Sequence, residues 1–151
     1  MDERFSEEPP GGSLPRRSDR YSLRPVGVVR SSLRRLADAP LQGDEGAPDA
    51  SIEFAADLAP ALAGVRVGDE LLVLTWLHRA QRDVLQVHPR GRLDAPLTGV
   101  FATRSPDRPN PLGLHRVTVL RVEGCRLQVA PLEAIDGTPV VDVKPVLGAV
   151  R

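Results

Sequence analysis

Residues 99–117, GVFATRSPDRPNPLGLHRV, decide the fold, because a rigid loop stands here between two apolar segments. Pro106, Pro109 and Pro111 each fix φ and remove a backbone donor, so the central RSPDRPNP is neither a helix nor a central strand. A loop this stiff holds its polar side chains in place at little entropic cost, which suits a binding site. The alternative, a proline-rich turn with solvated arginines, remains open on local composition alone.

Short apolar segments on both sides of this loop have the length and alternation of β-strands. The predicted strands cover residues 21–30, 51–55, 70–77, 83–88, 97–103, 113–122, 126–130 and 139–143. The continuous apolar run ELLVLTWL at residues 70–77 predicts a strand buried on both faces, with Trp76 in the core. Residues 57–64 predict one short helix, with Asp57 as its N-cap and Gly64 after its end. This spacing is typical of a sandwich or a barrel, and a small antiparallel barrel also protects the sheet edges.

The length of 151 residues predicts one domain, residues 21–151, after a disordered tail at residues 1–20 that is rich in Glu, Pro, Gly, Ser and Arg. No apolar run approaches the length of a membrane span, and the N-terminal region lacks the apolar core of a signal peptide. The single cysteine, Cys125, excludes an internal disulfide. These features predict a cytoplasmic protein that does not enter a membrane.

The charges are unevenly distributed, although the formal net charge is zero and gives no indication of a nucleic-acid partner. Residues 38–70 hold eight acidic residues and one arginine, whereas residues 71–126 hold nine arginines and four acidic residues. The planar fork of arginine binds phosphates, carboxylates and base edges. Arg104 and Arg108, which bracket the proline-rich loop, are therefore candidates to hold a carboxylate or a phosphate, and Asn110 offers an amide to a base or a sugar.

The last strand and the turn before it carry further polar candidates. Asp136 and Asp142 can each accept a hydrogen bond from an amine, although an Asp-Gly pair such as Asp136-Gly137 more often only makes a turn. Lys144 is either a phosphate contact or, by default, a solvated strand end.

The histidines and the cysteine do not indicate a metal site or a nucleophile. His78, His88 and His115 are far apart in the chain and lack the spacing of metal ligands, so a structural or hydrogen-bonding role is favoured for each. Cys125 has no neighbour that would activate its thiol. The usual nucleotide-binding and hydrolase motifs are absent from the sequence.

Two segments of the chain, GVFATRSPDRPNPLGL and IDGTPVVDVKP, closely resemble the TrmO family, also called TsaA-like or YaeB-like. The resemblance extends over residues 21–147 and includes the opening PVGVVRS and the strand VLTWLHRA. It implies S-adenosylmethionine-dependent methylation of the exocyclic nitrogen of threonylcarbamoyladenosine beside the anticodon of a tRNA. It also implies an all-β fold, a small antiparallel β-barrel of about seven strands with a minor short helix. The family barrel is used as a homodimer with the cofactor near the subunit interface.

The resemblance assigns the cofactor contacts to four segments of this chain. They are Pro40, Leu41 and Gln42; His78 and Arg79; Arg104 and Leu114; and the backbone of Glu133, Ala134, Ile135 and Asp136. We expect Arg104 or Arg79 at the methionine carboxylate of the cofactor, away from the sulfonium, because a cation destabilises a sulfonium.

The remaining polar candidates are assigned to the methyl acceptor and to proton transfer. Arg108, Asn110 and Lys144 are expected to contact the substrate. Asp136 and Asp142 are the carboxylates nominated to take a proton from the acceptor nitrogen, which is conjugated and weakly basic.

Two departures from the family pattern keep other functions open. Leu41 stands where the family often has arginine, and Val146 replaces the aromatic residue of the family's KPY. The alternatives are a methyltransferase of the same fold that acts on a small molecule, and a non-catalytic barrel that binds S-adenosylmethionine or RNA.

Overall fold

The computed structural model describes residues 14–33 and 49–148, and these contain eight β-strands. The strands are β1 Gly27–Arg30, β2 Ala50–Phe54, β3 Glu70–Trp76, β4 Gln86–Val87, β5 Thr98–Gly99, β6 Leu112–Glu123, β7 Arg126–Ala130 and β8 Pro139–Pro145. Six of them close into an antiparallel barrel in the order β1-β2-β7-β6-β3-β8, and β4 and β5 form a separate two-stranded sheet. The predicted all-β fold and small antiparallel barrel are confirmed. The predicted tail, residues 1–20, lies mostly outside the described residues.

The barrel interior is filled by alternate residues of its strands, as the two-residue period of a β-strand requires. Val73 on β3, Val117 and Val119 on β6, and Leu127 on β7 are each at most 1% exposed. Each such side chain stabilises the fold by about 1.5–3 kcal/mol relative to an exposed one. The core therefore runs along the barrel axis and is closed at one end by Leu132 from the segment after β7.

The prediction that residues 70–77 are buried on both faces is wrong. Leu72, Leu74 and Trp76 alternate with the buried residues of β3 and are only half-buried. They lie on the outer face of the barrel, where no second layer of the described chain covers them, so Trp76 is not a core residue. The continuous apolar run reflects an apolar outer surface and not a strand between two layers.

The short helix is present, but its predicted start is wrong. A 3₁₀ helix covers Ala56–Leu62, Ala55 occupies the N-cap position without a side-chain hydrogen bond, and Asp57 lies in the first turn. Pro60, which has no N–H, lies inside the helix and is compatible with the tighter i to i+3 bonding seen there.

Three predicted strands are shorter than expected. The strand predicted at residues 21–30 is confined to Gly27–Arg30, because residues 21–25 are exposed and end in a proline. Those predicted at 83–88 and 97–103 shrink to β4 and β5, two residues each, because they pair only with each other.

The topology places six strand ends together at one end of the barrel, which we call the upper end. β1, β3 and β7 finish there, and β2, β6 and β8 begin there, as the pairing of Trp76 with Leu112 and of Val28 with Pro139 shows. The turn after β3, the proline-rich loop before β6 and the segment between β7 and β8 therefore all lie at the upper end.

Candidate functional site

The proline-rich loop is held together from within by Arg108. Its Nε donates to the Ser105 carbonyl at 2.8 Å, and its Nη2 donates to the carbonyls of Val100 and Thr103 at 2.6 Å each. Val100 is buried and fixes the start of this loop to the body of the protein. The guanidinium thus hydrogen-bonds to three backbone carbonyls that take no part in strand pairing. These bonds give the loop the rigidity that its prolines predict.

The loop is docked on the turn that follows β3. The backbone N–H of Arg108 donates to the Gln81 carbonyl at 3.1 Å, and the Gln81 N–H donates to Asp107 Oδ1 at 2.9 Å. The Leu77 N–H donates to the Pro111 carbonyl at 2.8 Å. The predicted residues His78 and Arg79 lie in this turn and are exposed, so the structure brings them to the foot of the proline-rich loop, as the predicted cofactor site requires.

Arg82 is a residue that the sequence reasoning missed. Its Nε donates to the Pro109 carbonyl and its Nη2 to Asn110 Oδ1, both at 2.8 Å. Its guanidinium carbon lies 5.1 Å from the centre of the Trp76 ring, in a cation–π arrangement. The sequence signal that could have indicated this contact was Trp76, whose ring faces outward although the sequence suggested a core residue. Arg82 fixes the Asn110 amide and leaves its NH₂ group pointing away from this contact.

The segment between β7 and β8, residues 131–138, closes the upper end and is fixed to the exit of β1. Asp136 Oδ1 accepts the Ser31 N–H at 3.0 Å, and the Asp136 N–H donates to the Leu33 carbonyl at 2.6 Å. The Gly137 N–H donates to the Val29 carbonyl at 2.8 Å. The chain that leaves β1 toward the predicted Pro40, Leu41 and Gln42 therefore starts beside Asp136, whereas those three residues lie outside the described ranges.

The predicted backbone contacts at Glu133 and Ala134 have the right chemistry for a ligand. Their N–H and C=O groups make no backbone hydrogen bond with another described residue. Ala134 and Ile135 are buried, at 5% and 4% exposed, and supply an apolar surround. Backbone N–H and C=O groups beside apolar side chains suit the edge and the faces of an adenine ring.

The other predicted residues lie on two surfaces. Arg104 is exposed on the proline-rich loop and has no ion pair or hydrogen bond with the rest of the described chain. Leu114 and Asp142 both lie on the outer face, opposite Leu74 on its two sides, so β6, β3 and β8 present them in one row. Lys144 pairs with Leu72, one row further from the upper end, and is exposed.

Two surface depressions lie outside these loops. One is lined by Ser51, Arg121 and Gln128 with their neighbours, and another lies between Val26 and Phe54. Within residues 14–33 and 49–148, no group of three or more His, Cys, Asp or Glu side chains is arranged to hold a metal ion. None of the helices in this part of the chain has the length and apolar character needed to span a membrane.

The proline-rich loop, the turn after β3 and residues 131–138 converge at one end of an antiparallel barrel. This arrangement defines a class of protein. Residues 28–150 match the family model of the tRNA-methyltransferase O N-terminal domain. The chain belongs to this family, and the resemblance to TrmO is confirmed.

Relatives and solved structures agree with this assignment. A probable S-adenosyl-L-methionine-binding protein of Methanothermobacter thermautotrophicus is 45% identical over 123 residues, which cover 82% of this chain and 88% of that protein. An S-adenosyl-L-methionine-binding protein of Archaeoglobus fulgidus is 43% identical over 122 residues, 81% of this chain and 86% of its own length. The crystal structure of TrmO from Pseudomonas aeruginosa matches with a TM-score of 0.66 and 28% identity over 85% of this chain. The chain spans only 57% of that solved structure.

Proposed function

We propose that this protein is an S-adenosylmethionine-dependent methyltransferase that acts on a tRNA, at the exocyclic nitrogen of threonylcarbamoyladenosine beside the anticodon. The observation that carries the proposal is the meeting of three predicted segments at the upper end of the barrel: His78 and Arg79, the loop with Arg104, and residues 133–136. Membership of the tRNA-methyltransferase O family supports the reaction class.

The cofactor is S-adenosyl-L-methionine, which several relatives bind by name. It supplies an electrophilic methyl group on a sulfonium. The residues present fit two of its parts: the exposed guanidinium of Arg104 or Arg79 suits the methionine carboxylate, and the backbone of Glu133 and Ala134 suits adenine. Leu114, exposed on the outer face of β6, offers an apolar contact.

The chain promotes methyl transfer by alignment and by taking a proton. In-line displacement needs the acceptor nitrogen, the methyl carbon and the sulfur in a row, and a rigid loop supplies much of that order. Asp136 and Asp142 are the proposed proton acceptors. Asp136 already receives the Ser31 amide, whereas Asp142 is exposed and receives only its neighbour's amide, at 2.9 Å.

Substrate contacts are proposed for Arg108, Asn110 and Lys144. Because Arg108 donates to three loop carbonyls, its part in substrate binding is mainly to keep the loop in shape. Asn110 offers its NH₂ group to the acceptor while Arg82 holds its oxygen. The exposed arginines Arg79 and Arg104 at the same end provide the positive charge that tRNA phosphates require.

The proposed assembly is a homodimer, and the proposed compartment is the cytoplasm, where tRNA modification takes place. The outer face of β3 and β6 supports the dimer, because the exposed Leu112 and Leu114 lie there beside the half-buried Leu74 and Trp76 and form an apolar area with them. Since this area reaches the upper end, a second copy on it would stand near the cofactor.

The decisive experiment supplies labelled S-adenosylmethionine together with tRNA that carries or lacks threonylcarbamoyladenosine. We expect label only in the modified tRNA. Cofactor binding without any methyl incorporation would contradict the enzyme and favour a non-catalytic binding barrel, which the relatives' names as binding proteins also describe. Label in a small acceptor, but in neither tRNA, would favour the small-molecule methyltransferase suggested by Val146.

A first variant tests the cofactor site. We expect Arg104→Ala to weaken S-adenosylmethionine binding by at least tenfold in calorimetry, because a charge-assisted bond to the carboxylate is lost. Arg92→Ala is the matched control, since Arg92 is exposed and its side chain pairs with Asp94 in the loop that connects β4 to β5. Unchanged affinity of Arg104→Ala would remove this residue from the site.

A further inference from the structure

A chain of polar side chains crosses the mainly apolar interior of the barrel at its upper end. Thr75 on β3 is 0% exposed and His115 on β6 is 4% exposed, and both stand among valines and leucines. Glu133, from the segment after β7, turns its side chain inward and is 14% exposed there. Burying polar groups costs free energy unless each one is hydrogen-bonded, so the retention of three together calls for a physical reason.

The hydrogen bonds of this chain fix its geometry fully. His115 Nδ1 lies 2.5 Å from Glu133 Oε1, and His115 Nε2 lies 2.7 Å from Thr75 Oγ1. An ionised carboxylate only accepts, so Nδ1 donates to Glu133, whereas the Thr75 hydroxyl can either donate to Nε2 or accept from it. The two bonds together fix the orientation of the imidazole.

The backbone around the chain is shaped to make room for it. Gly113 lies one inward position before His115 on β6. A Cβ at Gly113 would stand 2.3 Å from Thr75 Oγ1 and 2.7 Å from His115 Nε2. A residue with any side chain would therefore displace the bond between them, and only glycine leaves it intact.

The chain ends on the segment that the proposed function assigns to the cofactor. Glu133 is the one polar side chain in PLEA, residues 131–134, and its bond to His115 is the side-chain link from this part of the segment to the barrel wall. The backbone anchors begin only at residue 136, with Asp136, Gly137 and Thr138. Leu132 and Ala134, on either side of Glu133, pack into the barrel core, and the bond from Glu133 to His115 adds the directional contact that orients the backbone between them.

We propose that His115 is a positioning residue for the cofactor: through the buried Thr75–His115–Glu133 chain it holds the Glu133 and Ala134 backbone where it receives the adenine of S-adenosylmethionine. The inference rests on the proposed function for the ligand, but not for the mechanical link. The rigid wall is β6, whose long pairing with β3 fixes the imidazole. The segment is held to that wall by the core packing of Leu132 and Ala134 and by the short hydrogen bond from Glu133 to His115.

Two substitutions of His115 separate the ends of the chain. The amide nitrogen of asparagine falls near the place of Nδ1, and that of glutamine falls near Nε2. His115→Asn therefore keeps the donor to Glu133 and loses Thr75, whereas His115→Gln keeps Thr75 and loses Glu133. We expect S-adenosylmethionine affinity within about threefold of wild type for His115→Asn and a loss of about tenfold or more for His115→Gln, at similar melting temperatures.

Variants of the partner residues guard against a merely structural effect. Thr75→Val removes the hydroxyl and should lower stability while the affinity stays near wild type. Glu133→Gln keeps an acceptor and should bind normally, whereas Glu133→Ala should bind as weakly as His115→Gln. Imidazole ¹⁵N spectra should show a protonated Nδ1 in the wild-type protein.

The outcomes distinguish this proposal from the function on which it rests. Equal affinity for His115→Asn and His115→Gln, or a loss that follows melting temperature alone, would overturn the positioning role. If the wild-type protein does not bind S-adenosylmethionine, the proposed function fails. Backbone ¹⁵N order parameters of Glu133 and Ala134 then decide the mechanical link: they should fall in His115→Gln and not in His115→Asn, and equal values would overturn it.

Discussion

At the scale of single residues, Gly113 and Arg108 each determine contacts made by several neighbouring groups. Because Gly113 has no side chain, it leaves room for the hydrogen bond between Thr75 and His115. The sequence suggested that the charge of Arg108 binds a ligand. In the structure its guanidinium donates hydrogen bonds to three carbonyls of its own loop. Both roles depend on neighbours that are distant in the chain or on the exact path of the backbone.

Gly113→Ala should lower the free energy of unfolding by about 1–3 kcal/mol, the usual cost of forcing atoms into a filled interior. The new Cβ would lie 2.3 Å from Thr75 Oγ1 in the buried end of the barrel. Chemical denaturation measures the change. Gly99→Ala is the matched control, because a Cβ there meets nothing within 4 Å, and we expect it to leave stability nearly unchanged.

Arg108→Lys should loosen the proline-rich loop although the charge is kept. An ammonium lacks the planar fork that reaches Val100, Thr103 and Ser105 together. We expect amide exchange of Thr103, whose N–H donates to the Val100 carbonyl, to rise by about tenfold, or about 1.4 kcal/mol of local stability. Arg92→Lys, an exposed residue outside the loop, should leave this exchange unchanged, and equal exchange in both variants would contradict the role of Arg108.

At the scale of elements, the upper end is assembled by contacts between loops rather than by strands. The proline-rich loop docks on the turn after β3 through Gln81 and Arg82, and residues 131–138 dock on the exit of β1 through Asp136. The loops contribute the groups proposed to face the ligand, and the barrel contributes the fixed points at which these loops start. This division is common in proteins that carry their sites on loops above a rigid scaffold.

Asp136→Ala should free the exit of β1, because the Ser31 N–H then loses its acceptor. We expect exchange of the Ser31 amide to rise by about tenfold, while Asp136→Asn, which keeps an oxygen in place, should protect it as well as wild type.

The same Asp136→Asn protein tests proton transfer, since it keeps the anchor and lacks the base. A proton-accepting Asp136 predicts a lower kcat at unchanged KM, and a normal kcat would leave Asp142 as the nominated acceptor.

At the scale of the whole molecule, the barrel has an apolar outer face that a single copy leaves exposed. Leu112 and Leu114 on β6 are 41% and 42% exposed and lie across from Trp76 and Leu74 on β3. The polar pair Arg116–Glu70 borders this face on the side away from the upper end. An apolar area with a charged border is the usual form of a protein–protein interface.

Leu112→Glu should convert the proposed homodimer into a monomer, because it introduces a charge into the apolar face. Light scattering would then give the 16.3 kDa mass of one chain instead of about twice that mass. Leu120→Glu is the control, since Leu120 is equally exposed on the same strand, but lies toward its other end. A wild-type protein that already scatters as a monomer would contradict the dimer.

Much of the architecture could be predicted from the chain because its signals are local. Alternation along β6 and β7, and the prolines of residues 104–111, act between neighbouring residues and need no tertiary information. The motifs around the proline-rich loop and at residues 135–145 were long enough to indicate the family. The outer position of Trp76 and the start of the short helix could not be predicted, because exposure and capping depend on what packs nearby.

By itself, then, the sequence determined a small all-β barrel, a rigid arginine-bearing loop and its family. Tertiary structure alone decided which polar groups meet. It turned Arg108 toward its own backbone, set Arg82 on Trp76 and Asn110, and linked His115 to Thr75 and Glu133, 40 and 18 positions away. The physical reason is that hydrogen bonds between distant residues depend on strand register and on the closure of the barrel, and neither can be read from local patterns.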